Sequence, residues 1–199
     1  MFTSTHRHPL PLRTCSGAPS LARRPRRGAT ECGFTLIELM VTLTIAAILT
    51  ALAVPSMRTF LQNDRLWTQA TSMVMSINSA RNEAIKQDIA GGMLVCPSTD
   101  ALTCNVASPW DQGWIVLSSA AGSTPVMSVP ALPTGSTLKE LTGQTTITFQ
   151  STGMAAAAAG FTLCDSRGAA FARYVQVTIY GSVTTTTGQR PDGTALACP

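Results

Sequence analysis

The chain has 199 residues, with 14 Lys/Arg against 10 Asp/Glu and a formal net charge of +4, enough length for one domain with additional segments. Six arginines and one glutamate give residues 1–33 a charge of +5, whereas eight basic and nine acidic residues leave −1 over residues 34–199. Whole-chain basicity is therefore no argument for nucleic acid, and with both histidines at His6 and His8 the remainder has none for acid–base or metal chemistry.

Residues 1–33 are rich in Pro, Arg, Ser and Thr and show no apolar period, which reads as a disordered cytoplasmic leader. Arg23-Arg24-Pro25-Arg26-Arg27 stands just before the apolar run. Positive charge there keeps the leader in the cytoplasm and sends the rest of the chain across the membrane. Basic clusters also occur in arms that bind nucleic acid or lipid surfaces. Phe34–Val54 follows, 21 residues with Glu38 as the one formal charge. About 20 apolar residues span a bilayer as a helix. A carboxylate inside such a span costs about 2.5–3.5 kcal/mol at the membrane centre, so it marks function unless it snorkels to the nearby surface. A cleaved secretory signal is the rival reading, with Ala51-Leu52-Ala53 as its cleavage site. Two features oppose it: the run exceeds the usual core of about 7–15 residues, and Glu38 interrupts it.

Beyond Pro55 the pattern becomes amphipathic. Phe60, Trp67, Ala70, Val74, Ile77 and Ala84 recur at helical spacing, with Arg58, Asp64, Arg65, Asn82 and Lys86 mainly between them. The helix is expected to continue to about Ile89 and to end at Gly91-Gly92. Strands are expected at Met93–Cys96, Trp114–Ser118, Val126–Val129, Thr145–Phe149, Phe161–Cys164, Tyr174–Tyr180 and Val183–Thr187, punctuated by Gly and Pro. Ala155–Ala159 reads as a loop or hairpin arm. One helix followed by short strands predicts an antiparallel α+β domain.

Gly33-Phe34-Thr35-Leu36-Ile37-Glu38-Leu39-Met40 resembles the processing site of type IV prepilins and pseudopilins. The resemblance implies that a prepilin peptidase cuts between Gly33 and Phe34 and methylates the new amine of Phe34. It implies that Glu38, one helical turn on, pairs with the N-terminal amine of a neighbouring subunit during assembly. It also implies that Pro55 kinks the helix. Asn82-Glu83-Ala84-Ile85, Val95-Cys96-Pro97-Ser98, Trp110-Asp111-Gln112-Gly113-Trp114-Ile115-Val116, Ile147-Thr148-Phe149 with Gly153, and Phe161-Thr162-Leu163-Cys164 are similar to the GspH/FimT group of minor pilins. That likeness covers residues 33–187 and leans to the FimT side. It implies a type IV pilin-like fold: a leader over 1–33, a long helix over 34–90 (34–54 transmembrane, 55–90 amphipathic) and a periplasmic β domain over 91–199. The implied location is the bacterial inner membrane, single-pass, and then a fibre with other pilins. The machine is a type IV pilus or, alternatively, a type II secretion pseudopilus.

Cys15 and Cys32 leave with the leader, so Cys96, Cys104, Cys164 and Cys198 remain. Four cysteines in an oxidising compartment favour disulfides, with three possible pairings. Cys96–Cys104, closing a short loop, and Cys164–Cys198, tying the tail to a strand, are preferred. A zinc site is disfavoured because paired C-x-x-C knuckles are lacking. No cofactor or metal is expected. Asp100, Asp111, Glu140, Asp165 and Asp192 have no spacing that recommends a catalytic pair, so an enzyme is not expected. Some FimT-like pilins bind DNA through a C-terminal Gly-Arg-x-Arg motif. The matching segment here is Gly181-Ser182-Val183-Thr184, without either arginine. Arg167, Arg173 and Arg190 stand nearby in sequence as a possible patch for DNA, and each missing cation weakens phosphate contact.

Overall fold

The computed structural model describes residues 33–88, 91–120 and 122–198. Residues 1–32 of the leader, with Cys15, Cys32 and both histidines, lie outside the described residues, as does Ile89 at the expected helix end. Two units are distinguished, with their boundary between Ile45 and Ala46. The long helix α1 spans Leu36–Gln87, with Pro55 inside it.

In the second unit, α1 first contributes a buried residue at Leu66, and the buried face then runs through Gln69, Ala70, Met73, Ser76, Ile77, Ala80 and Ala84. Leu66, Ala70, Met73, Ile77, Ala80 and Ala84 alternate steps of four and three, the period of a helix face turned to a core. This shifts the expected stripe. Ala70, Ile77 and Ala84 belong to it, and Val74 packs at its margin. Phe60 and Trp67 are 63% and 55% exposed. Phe60 precedes the buried segment. Trp67 is one residue, about 100° of rotation, off the Leu66 line, and its ring lies beside Arg173 instead. The helix ends at Gln87, where Asp88 turns to φ +45. Gly92 follows at φ +79, where a Cβ would sit 1.9 Å from the Phe149 carbonyl oxygen. Only glycine fits that approach.

Among the described residues eight strands follow: β1 (Met93–Pro97), β2 (Gly113–Ser118), β3 (Met127–Pro130), β4 (Thr137–Glu140), β5 (Ile147–Phe149), β6 (Ala159–Cys164), β7 (Arg173–Val177) and β8 (Val183–Thr187). They form two four-stranded sheets, ordered β3-β2-β1-β5 and β4-β6-β7-β8, with every pairing antiparallel. β4 was not expected from the sequence. Leu138 is its one large apolar residue, and Lys139 and Glu140 suit the edge position it takes beside β6. The strand expected over Tyr174–Tyr180 stops at Val177, because the Thr178–Ser182 turn closes there: Gly181 N–H donates to Thr178 O at 2.9 Å and Thr178 N–H to Ser182 O at 3.0 Å. β5 begins at Ile147 rather than Thr145. Ala155 bridges to Phe149 as a hairpin arm, while Ala159 opens β6.

Side chains from α1 and both sheets share one core, centred on Met73, Ile77, Trp114, Phe149 and Phe161. Polar contacts fix the helix on it. The Trp114 indole donates to Ser76 Oγ at 2.9 Å, Gln69 Nε2 to Ser136 Oγ at 3.0 Å, Arg81 Nε to Gly153 O at 3.0 Å and Arg167 Nη1 to Asn63 Oδ1 at 2.7 Å. Each net contact of this kind stabilises by about 0.5–1.5 kcal/mol, more for the charged donors.

Candidate processing and assembly site

The helix start is set by Thr35. Its Oγ1 accepts the Glu38 N–H at 3.2 Å, and its carbonyl accepts the Leu39 N–H at 3.1 Å, the first helical bond. Thr35 is therefore the N-cap, and Thr35-Leu36-Ile37-Glu38 has the spacing of a capping box. The Thr-x-x-Glu spacing is the sequence signal that ties Glu38 to this helix start. A carboxylate in the first turn also complements the positive end of the helix dipole. Gly33 and Phe34 lie before the helix, and Phe34 is 84% exposed. The junction is thus non-helical backbone followed directly by helix.

From Leu36 to Val54 no side chain is buried. α1 is long and apolar enough to cross a membrane, and the absence of burial distinguishes this stretch from a core helix of a soluble domain. Its threonine hydroxyls are satisfied internally. The hydroxyls of Thr42, Thr44 and Thr50 donate to carbonyls of Leu39, Val41 and Ala46 at 2.8–2.9 Å, so they add little polar cost in lipid. Thr59 Oγ1 donates to the Pro55 carbonyl at 3.2 Å.

The three arginines do not converge. Arg167 is committed to its own neighbourhood. Its Nη2 lies 2.7 Å from Asp165 Oδ2, Nε donates to the same carboxylate at 2.9 Å, Nη1 reaches Asn63, and its guanidinium stacks on Phe171 at 4.5 Å. Arg173 opens β7, donates through Nη1 to Thr187 Oγ1 and lies 5.6 Å from the Trp67 ring centroid. Arg190 lies over Tyr174 at 5.7 Å. Side chains alternate along β7. Val175 and Val177 enter the main core, whereas Tyr174 belongs to a second cluster with Cys164, Ala172 and Leu196. Arg173 and Arg190 therefore use opposite faces of this sheet. Gly181 and Ser182 occupy the β7–β8 turn, and Val183 and Thr184 open β8. Arg173 pairs with Thr187 at the far end of the same hairpin, about 13 Å away at about 3.3 Å per residue.

Disulfides join Cys96 to Cys104 and Cys164 to Cys198, with Cα atoms 5.6 and 5.8 Å apart. Asp100 organises the first loop, accepting from Leu102 N, Thr103 N, Thr103 Oγ1 and Ser98 Oγ. The backbone bonds, from Thr103 first, hold its carboxyl well below the usual range. Glu140 and Asp192 also serve local structure, whereas Asp111 Oδ1 is buried without a partner among the described residues. Glu140 accepts from Gln144 N at 2.8 Å and Gly160 N at 3.2 Å. Asp192 accepts from Thr194 N at 2.8 Å, which lowers its pKa. Among the described residues no three His, Cys, Asp or Glu side chains gather as a metal site.

The fold and the helix define a pilin-like protein: a long, apolar N-terminal helix packed on antiparallel sheets. The family model described as "Type II transport protein GspH" matches residues 69–182, and a prokaryotic N-terminal methylation motif matches residues 29–54. The chain belongs to this GspH family of minor pilins and pseudopilins. Its fold is similar to that of the type IV minor pilin FimU of Pseudomonas aeruginosa in two crystal forms. At 20% identity in each, the likeness covers 70% and 67% of this chain and 99% of that one, with TM-scores of 0.53 and 0.50. The minor pseudopilin EpsH of the Vibrio cholerae type 2 secretion system also matches, at 14% identity and TM-score 0.44, over 62% of this chain and 97% of that one. No curated protein matches in sequence.

Proposed function

We propose that the chain is a structural subunit of a fibre assembled at the bacterial inner membrane: a minor pilin or pseudopilin cut between Gly33 and Phe34 by a prepilin peptidase, N-methylated at Phe34, and packed into the fibre through α1. The observation that carries this reading is the unburied apolar stretch from Leu36 to Val54, with Glu38 as its single charge. Such a surface has two environments that suit it, lipid before assembly and neighbouring pilin helices after it. Glu38 suits both if its carboxylate meets the amine of a neighbouring Phe34, since an unpaired buried charge is costly and a paired one tolerable. Pro55 removes one backbone donor inside α1, which favours a bend at the membrane exit. The two disulfides favour an oxidising periplasm for the β domain.

The decisive variant is Glu38→Ala in cells that produce the fibre. Processing at Gly33–Phe34 is expected to persist, while recovery of the chain in sheared fibres falls at least about tenfold, the equivalent of one lost charge contact of about 1.4 kcal/mol. Normal incorporation would remove Glu38 as the assembly residue. A second reading, a pseudopilin of type II secretion, is favoured by the family's description as a type II transport protein. Deleting the chain and scoring surface fibres and secreted protein in the same strain separates the two machines.

A further inference from the structure

Beside β3 the α1–sheet sandwich is open. β3 stands at the end of its sheet with β2 as its one strand neighbour. A groove of about 390 Å³ runs there between α1, at Arg65, Thr68, Gln69 and Ser72, and the segment from Val129 to Pro133. Met127 and Val129 face the helix: Met127 Sδ lies 3.6 Å from Ser76 Oγ, and both side chains pack on the core. Alternate side chains of a strand share a face, so the inward side chains of a strand added beside β3 would enter this groove.

Two observations say what would occupy it. Gln69 is 6% exposed and donates through Nε2 to Ser136, yet its Oε1 is buried without a partner. Buried polar atoms are almost always paired, so an orphan acceptor in the groove wall fits a donor that arrives with a ligand. Arg65 is exposed at the rim and, although its charge also acts on Asp165, makes no ion pair closer than 4 Å among the described residues, so it favours an acid. The edge itself is unprotected. Exposed edges are normally blunted by charge or covered: β4 carries Lys139 and Glu140, β5 is bridged through Phe149 to Ala155, and β8 is uncharged but lines no part of this groove. β3 is Met-Ser-Val-Pro, with no charge and Pro130 only at its end.

We propose that this groove receives an extended segment of another pilin subunit. The segment adds to β3 by main-chain hydrogen bonds, places apolar side chains against Val129 and Leu132, offers an N–H to Gln69 and carries an acidic side chain against Arg65. Such strand addition draws affinity from the backbone and specificity from alternate side-chain pockets. The inference rests on the reading that the chain assembles with other pilins.

The test places the photo-crosslinking residue p-benzoylphenylalanine at Thr68 of the full chain in fibre-producing cells, with Asn78, exposed on α1 outside the groove, as control. Incorporation into fibres is scored first in the same cells. The expected result is an adduct from position 68, at least about tenfold stronger than from 78, whose cross-linked peptide is an extended segment of another pilin. Arg65→Glu is expected to reduce that adduct about tenfold, and the amides of Met127–Val129 to exchange more slowly in fibres than in detergent. A chain that enters fibres without the adduct, or whose adduct maps to a partner's N-terminal helix, overturns the groove proposal and leaves the assembly reading standing. A chain absent from every fibre overturns both.

Discussion

Arg167→Ala tests whether this arginine is a structural tether or a free cation. Both partners of its ion pair are nearly buried, with side-chain exposures of 13% for Arg167 and 9% for Asp165. The substitution leaves the Asp165 carboxylate without its guanidinium, removes the donor to Asn63 on α1 and strips the cation from Phe171. Breaking a buried pair from one side costs about 3–5 kcal/mol. Arg65 is near enough to help hold the Asp165 charge, so the lower end, about 3 kcal/mol, is expected. For a domain of this size that lowers Tm by about 6–12 °C. The assay is thermal unfolding in detergent at pH 7, with Asp165→Asn added to Arg167→Ala as a second step. The double variant is expected to recover part of the loss, because no charge is then left unpaired. A Tm shift below about 1 °C, or a double variant that melts lower still, refutes the tether.

The same pair sets a pH dependence. Burial pushes the Asp165 pKa up, but the hydrogen bonds and charge of Arg167 outweigh it, and the net shift is downward. A carboxyl with a depressed folded pKa stabilises above its unfolded value, about 3.9, and loses that contribution as pH falls through the folded pKa. Wild type is therefore expected to lose stability below about pH 4, and Arg167→Ala to lose less over that interval. Because the guanidinium is already engaged, Arg167→Ala is also expected to leave any retardation of duplex DNA in a low-salt gel shift unchanged.

The disulfides differ in what they hold. Chain-entropy arithmetic assigns about 3.8 kcal/mol to the 34-residue separation of Cys164–Cys198 and about 2.5 kcal/mol to the 8-residue separation of Cys96–Cys104. Of residues 189–198 only Leu196 is buried, so Cys198→Ser is expected to open this tail to protease before the core melts, read by mass spectrometry; simultaneous cleavage of tail and core counts against it. Gly92→Ala would drive a Cβ into the Phe149 carbonyl at φ +79, whereas Gly143, at φ +83, meets no atom within 4 Å. The first substitution should cost at least about 4 kcal/mol and the second about 1–2 kcal/mol; equal melting temperatures would refute the steric account.

The apolar run, the helical period after it and most strands were legible because each rests on a local regularity. Phe34–Val54 is a composition signal, and the expected strands carry β-branched or aromatic residues in short runs between Gly or Pro. β4 was hidden because Lys139-Glu140 leaves Thr137-Leu138 too short an apolar or β-branched run to read as a strand; it is a strand because β6 offers it a partner over four residue pairs. Trp67 misled for the opposite reason. Large aromatics usually mark a core face, but Trp67 lies about 100° of rotation off the buried line of α1, and its indole is left outside under Arg173.

The site divides in the same way. Gly33, Phe34 and Glu38 are proposed as a unit because they fall within six consecutive residues, and the Thr35 cap that starts α1 lies inside the same short segment. The arginines are not such a unit. Proximity in sequence made Arg167, Arg173 and Arg190 look like one patch, yet strand alternation sends Arg173 toward α1 and Tyr174, with Arg190 over it, to the opposite face. Arg167 is held by an aspartate two residues away and an asparagine 104 residues away. The near partner is a sequence fact and the far one is a product of the fold, and the two together turn a surface cation into a tether. The same reasoning makes the β3 groove invisible before folding: Arg65, Gln69 and Val129 share no local pattern, and become neighbours only when α1 lies beside the sheet edge.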